Sequence, residues 1–248
     1  PESFSPALGI ELKQTNRSRR AYKLLSEAGV IDRATLEAIK YDTGYERDGY
    51  VARLFEALEA MPAEGELAKA RNLMLSWDFT SDGKGAADAI AMLIIRDFMA
   101  ADYNKPFPDV AEKLKAAADH LTTHFGRLDP PLGDLVRLRQ GKVDLPVDGG
   151  SDTLRAATTW DVADDGRLSL KHGDSFIMWI EWQPGQRVSS RSVQPFGAAT
   201  TRPKSPHYTD QMKLFVDHRL KPVHFWRDDL LASVASRRHT ISTVTNAR

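Results

Sequence analysis

From about residue 15 to residue 125 the apolar positions recur three and four residues apart. The sets are Ala21, Leu24, Leu25 and Ala28; Leu36 and Ile39; Val51, Leu54, Phe55, Leu58 and Met61; and Leu67, Ala70, Leu73 and Met74. That spacing places each set on one side of a helix. Gly29, Pro62, Gly65, Gly83 and the break Lys105-Pro106-Phe107-Pro108 separate the runs, as helix stops and starts. Residues 109–125 form a further predicted helix, with Val110, Leu114, Ala117, Ala118 and Leu121 along one side. Residues 1–126 are therefore predicted to be a helical region.

After Gly126 the pattern changes. Residues 153–162, 176–182 and 187–193 are short runs rich in β-branched or aromatic residues. The turn-forming groups Asp164-Asp165-Gly166, His172-Gly173-Asp174 and Gln183-Pro184-Gly185 bound them, and Pro184-Gly185 predicts a hairpin between the last two runs. Further on, Pro206 fixes its own φ and pushes Ser205 out of the helical region, so an extended loop precedes Tyr208. Thr209 or Asp210 can then cap a short helix over residues 212–218, with Met212, Leu214, Phe215 and Val216 giving it a buried side. Residues 127–235 thus read as a strand-rich region with a closing helix, and residues 236–248 as a flexible tail. The fold class is α+β, helices first and antiparallel strands after.

Composition narrows the function. With 248 residues the chain can bury a substantial core, and 34 Lys+Arg against 34 Asp+Glu leave no net charge. That removes the basic footprint of a nucleic-acid binder. Without cysteine there is no disulfide, no thiolate metal site and no cysteine nucleophile. The longest apolar run, residues 89–95, is far too short to span a bilayer.

The motifs that could carry chemistry each have a plainer structural reading. His120 and His124 stand at i and i+4, the spacing for two metal ligands, but no third ligand and no intervening glutamate accompany them. A solvated helix face is the simpler account, and no metal or cofactor is expected. Gly149-Gly150-Ser151-Asp152-Thr153 approaches the nucleophile-elbow pattern but has Thr153 where the second glycine belongs, so Ser151 reads as a turn residue. Trp77-Asp78 reads as a core anchor beside a helix-capping carboxylate. Residues 186–204 carry Arg187, Arg191, Arg202 and Lys204 without an acid, either a face for an anionic substrate or a hairpin balanced from elsewhere.

Taken in order, several segments carry a family resemblance. Ser205-Pro206-His207-Tyr208 is followed by Asp210-Gln211, a short helix, and Arg219-Leu220-Lys221-Pro222-Val223-His224-Phe225. This order resembles the end of the catalytic β chain in the penicillin acylase family of N-terminal-nucleophile amidohydrolases, with acyl-homoserine lactone and aculeacin-type acylases nearest in character. Residues 138–156, with a basic-glycine turn, a proline and a Gly-Gly corner, resemble the start of that family's C-terminal strands. Trp77-Asp78 and Gly173-Asp174-Ser175-Phe176 are similar to further family elements. The resemblance runs from about Thr15 to Phe225.

That resemblance implies an αββα sandwich, of which these strands complete a part, and an acyl-enzyme mechanism. Residues 15–25 resemble the helix that brings an arginine to the edge of the active site, and aligning Leu24-Leu25 with the family's paired aliphatics places that arginine at Arg17. Its fork of donors would hold an oxyanion-hole carbonyl or orient the nucleophile's amine. Alternatively, Arg17, Arg19 and Arg20 are a charged first turn, although cations at a helix start oppose the dipole. The family nucleophile is a serine, threonine or cysteine at the start of the β chain, with its own α-amine as base, whereas Pro1 stands first here. The expectation is a C-terminal part of an acylase β chain, inactive alone. Its partners would be the α chain and the N-terminal part of the β chain of the same precursor, and its substrate a linear acyl amide. The family context implies the periplasm. A non-catalytic helical interaction module with a β cap is the alternative.

Overall fold

The computed structural model describes residues 5–9, 13–103 and 105–233. Its fold is mixed α+β, with helices filling the first half and two small sheets the second. The predicted helices appear as α1 (Asn16–Glu27), α2 (Arg33–Lys40), α3 (Gly49–Ala60), α4 (Gly65–Leu75) and α6 (Val110–Phe125), and the apolar run 89–95 lies in a further helix, α5 (Asp88–Met99). The boundaries follow local chemistry. Asp32 and Asp109 accept the amides of Thr35 and Glu112 at the starts of α2 and α6, and Gly126 ends α6 at φ +70°. Leu114, Ala117, Ala118 and Leu121 are buried as expected, joining Tyr50, Leu54, Leu58, Met74, Ile90, Ile94 and Phe98 in the core.

Helix α1 departs from this pattern. Its spacing is helical, yet its only buried residue is Asn16, and Tyr22 and Leu25 face solvent. Periodicity reports which side is apolar but not what covers it.

A short helix α7 (Leu132–Leu135) leads into β1 (Val136–Gln140) and β2 (Val143–Pro146). Then follow β3 (Ala157–Val162), β4 (Leu168–Gly173), β5 (Ile177–Glu181), β6 (Ser189–Val193), α8 (Met212–Val216), β7 (Lys221–Pro222) and α9 (Arg227–Ser233). One sheet runs β2-β1-β4-β3 and the other β5-β6-β7. The Pro184-Gly185 hairpin joins β5 to β6 with Trp179 opposite Arg191. The expectation of antiparallel strands is corrected at one ladder: β1 and β4 pair in parallel, Val136 with Leu168 and Arg137 with Ser169. The intervening β2, corner and β3 form the crossover that parallel pairing requires. The run predicted over 153–162 is strand only from Ala157, because residues 151–155 are held in a turn by the Thr153 hydroxyl on the carbonyls of Gly150 and Arg155 and by the Ser151 hydroxyl on the Thr158 carbonyl. The predicted tail, 236–248, lies outside the described residues.

Among the described residues no helix is long and apolar enough to cross a membrane. One core cluster joins both halves, from Tyr45 and Trp77 to Leu138, Leu168, Val193 and Phe215.

Candidate functional site

The start of α1 is built against a loop that lies more than a hundred residues away. In that loop, residues 148–155, Gly149 adopts φ +98° and Asp152 φ +63°. A Cβ on Gly150 would meet the Tyr45 hydroxyl at 2.2 Å, and one on Gly149 would meet the Arg155 carbonyl at 2.4 Å. The two glycines are there for close approach. Ser151 is buried and donates to the Thr158 carbonyl at 3.0 Å, while Thr153 Oγ1 donates to the carbonyls of Gly150 and Arg155. Tyr45 adds a 2.7 Å bond to the Ser151 carbonyl. Ser151 is the turn residue its sequence context suggested.

Into this loop the first residues of α1 insert. Thr15 Oγ1 donates to Asp152 Oδ1 at 2.7 Å, the Asn16 amide to Asp152 Oδ2 at 2.7 Å, and the Arg17 amide to Asp152 Oδ1 at 3.3 Å. Asn16 is fully buried and fully used. Its Nδ2 donates to the carbonyls of Gly44 and Asp152, and its Oδ1 accepts the Glu46 amide. Burial raises the Asp152 carboxyl pKa, against the hydrogen bonds from Thr15, Arg17 and Asn16 and the Arg17 charge.

Arg17 donates Nε to the Thr153 carbonyl at 2.9 Å, and no carboxylate among the described residues closes an ion pair with its exposed guanidinium. Arg19 and Arg20 behave otherwise. Arg19 pairs with Asp48 at 2.7 Å and Asp102 at 3.3 Å. Arg20 reaches both oxygens of Asp42 at 2.8 and 2.9 Å and Glu46 at 2.8 Å. The three arginines are therefore not one solvated cluster. Arg17 is the one of the three that closes no ion pair among the described residues; the Thr153 carbonyl holds its Nε, whereas Arg19 adds the Gln14 carbonyl to its ion pairs.

On the other side of the loop, Arg155 is wholly buried. Its guanidinium contacts Asp148 at 3.1 Å, Asp174 at 3.4 Å and the Phe215 carbonyl at 3.2 Å, and it lies 4.2 Å from the Phe215 ring centroid. Lys40 bridges Asp174 and the Leu154 carbonyl at 2.8 and 2.9 Å. Burial lowers the Lys40 pKa despite Asp174. His218 bonds Asp148 at 2.9 Å and stacks on Tyr41 with ring centroids 4.2 Å apart. Burial would raise the Asp148 carboxyl pKa, but the His218 hydrogen bond and the Arg155 charge prevail and hold it below the usual range. Asn16, Asp152 and Arg155 were not foreseen as site residues. The Gly149-Gly150 corner was the available signal, but their partners lie too far along the chain to be inferred.

The remaining motifs resolve into structure. His120 donates Nε2–H to the Gly166 carbonyl, 2.7 Å away, and His124 packs against Gly166. The pair touches the β3–β4 turn while His124 stays exposed and His120 half-buried, as a largely solvated helix face. Among the described residues no group of three or more His, Asp or Glu is arranged to hold a metal. Trp77 is a core anchor whose indole donates to Thr80 at 2.6 Å, but Asp78 caps no helix and instead accepts the Thr80 amide and hydroxyl. The positive charge of residues 186–204 is met in part by Asp228, 2.6 Å from Arg187, and by Glu37 and Glu181 beside Arg191. In the Ser205–Tyr208 motif, Tyr208 packs on Gly141 and its carbonyl accepts Gln140 Nε2 at 2.5 Å. The residue preceding α8 is Gln211, and neither Thr209 nor Asp210 caps that helix.

The Penicillin amidase family model matches residues 1–232. The chain belongs to this family. No curated protein matches the chain. Membership makes an acylase-type hydrolase of amide bonds the activity class, and family members are usually processed from a precursor into more than one chain.

Proposed function

We propose that this chain is the C-terminal part of an acylase β chain, and that it contributes Arg17 to an active site completed by other segments of the same precursor. One observation carries the reading: Arg17 is fixed by the Thr153 carbonyl, yet it is exposed and its guanidinium closes no ion pair among the described residues. A cation held in place but not locked in an ion pair is prepared for a carbonyl or developing oxyanion supplied from outside. The hydroxyls of the loop, Ser151 and Thr153, are committed to backbone carbonyls. A nucleophile from elsewhere in the precursor would attack a linear amide, such as an acyl-homoserine lactone, a β-lactam side chain or a lipopeptide tail, through an acyl-enzyme. The helices and the two sheets would complete part of an αββα sandwich, with the mature enzyme in the periplasm. The chain alone would turn over no acyl amide. Active-site-titratable turnover by the purified chain would refute that part.

The structure also sharpens the test of Arg17. In the mature enzyme Arg17→Ala is expected to lower kcat by about a hundredfold or more, with little change in melting temperature. Arg20→Ala removes two ion-pair partners, so it is expected to lower the melting temperature while the folded fraction keeps near-normal kcat. Equal and small kinetic losses at both positions would reduce Arg17 to a surface residue.

A further inference from the structure

Asp152 performs for α1 the work of an N-cap from 135 residues away. The first turn of α1 contains no acid and its leading amides need acceptors. The two carboxylate oxygens of Asp152 take the Thr15 hydroxyl and the amides of Asn16 and Arg17, and place a negative charge at the positive end of the helix dipole. The next residue, Thr153, presents the carbonyl that receives Arg17 Nε. Backbone and side chain of Arg17 are thus gripped by two consecutive residues of one loop. The loop is held by Thr153, bonded to the carbonyls of Gly150 and Arg155, and by the Tyr45 hydroxyl on the Ser151 carbonyl.

We infer that Asp152 is a positioning residue for Arg17: its carboxylate sets the orientation of the α1 entrance and so the direction in which the guanidinium fork points. This inference rests on the reading of Arg17 given above. Without the carboxylate, Thr15, Asn16 and Arg17 lose a shared anchor while the buried Asn16 side chain still tethers the helix to Gly44 and Glu46. The helix would persist, but the fork would no longer be held to one direction.

A double-mutant cycle in the mature enzyme tests this, with N-octanoyl and phenylacetyl 4-nitroanilides as probes. Asp152→Gly accommodates the positive φ and removes the carboxylate together with its methylene, and Thr15→Val removes one of its donors. Asp152→Gly is expected to lower kcat at least tenfold with KM changed less than threefold, and Thr15→Val to produce a smaller loss in the same direction. On an Arg17→Ala background, Asp152→Gly should cost less than twofold more, because residues acting through one group are not additive. Full multiplication of the two losses would overturn the inference and leave Asp152 a stability residue. If Arg17→Ala is itself without effect, it is the reading of Arg17 that fails. A second readout is independent of any substrate. Hydrogen exchange at the Asn16 and Arg17 amides and at Arg17 Nε–H should accelerate at least tenfold in Asp152→Gly. Unchanged protection at these three sites would overturn the inference whatever the kinetics show.

Discussion

Asp88, the first residue of α5, is 1 % exposed and has one oxygen fully employed and one with no partner. Oδ2 accepts the amides of Gly83 and Gly85, at 2.9 and 3.3 Å, whereas Oδ1 sits beside Gly85 with the Asp78 carboxylate on the same flank. Burial raises the Asp88 pKa to about 6; the Gly83 amide opposes the shift and Asp78 adds to it. The folded protein therefore binds this proton more tightly than the unfolded chain. Stability from this group is complete below the unfolded value near 3.8 and is lost as pH rises toward 6. The loss is on the order of 2–3 kcal/mol. Asp88→Asn keeps an acceptor for Gly83 and Gly85 and turns the orphan oxygen into a donor toward Asp78. It is expected to raise stability at pH 7.5 by about 1–2 kcal/mol and to flatten the stability profile between pH 4 and 6. Urea unfolding across that range checks it, and an unchanged profile would show that Asp88 does not carry the shift.

At the scale of elements, α8 is held to loop 148–155 through polar groups. Arg155 reaches the Phe215 carbonyl near the end of α8, and His218, just beyond that helix, returns to Asp148. Removing a buried guanidinium leaves Asp148 and Asp174 partly uncompensated, a situation that commonly costs about 3–5 kcal/mol. Arg155→Met is expected to lose that much by chemical denaturation. The half-exposed pairs of Arg139 with Asp144 and Asp165 supply the contrast, and Arg139→Ala is expected to cost less than about 1 kcal/mol. The low Asp148 pKa adds a sign: its contribution holds above the unfolded carboxylate range and disappears as pH falls through the lower folded value. In Arg155→Met that acid-side loss should shrink. A comparable contact joins α6 to the sheet. Gly166 has φ +78° and a Cβ there would lie 2.2 Å from the His124 ring, so Gly166→Ala should cost about 1–3 kcal/mol through strain and displacement together.

Among the described residues of the whole molecule, two apolar surfaces on neighbouring elements are exposed. Tyr22, Leu25, Val30, Ile31 and Leu36 are exposed on α1, α2 and their connection. Phe176, Met178, Ile180 and Trp182 alternate along the edge strand β5 and also face solvent. Ion pairs from Arg33 to Glu181 and from Arg191 to Glu37 keep α2 beside the β5–β6 hairpin. An unpaired strand edge with an apolar stripe favours association. The purified chain is expected to dimerise, aggregate or capture the other chain of its precursor, and Ile180→Lys with Trp182→Lys to reduce this without unfolding it. Sedimentation of the wild-type chain as a monodisperse monomer at tens of micromolar would count against the prediction.

What the sequence determined by itself was local. The helix period of residues 15–125, the glycine and proline stops, the Pro184-Gly185 hairpin and the short helix from Met212 all depend on residues a few positions apart, where side-chain period and backbone propensity decide the outcome. Ordered motifs spread along the chain were enough for the family, since their order survives without knowledge of contacts. The tertiary structure decided everything that depends on partners far along the chain: the parallel β1–β4 ladder, the exposure of the apolar side of α1, and the separation of Arg17 from Arg19 and Arg20. Three neighbouring arginines are alike in sequence. Only folding brings Asp48, Asp102, Asp42 and Glu46 to two of them and the Thr153 carbonyl to the third, because charge compensation is set by distance in space and not along the chain.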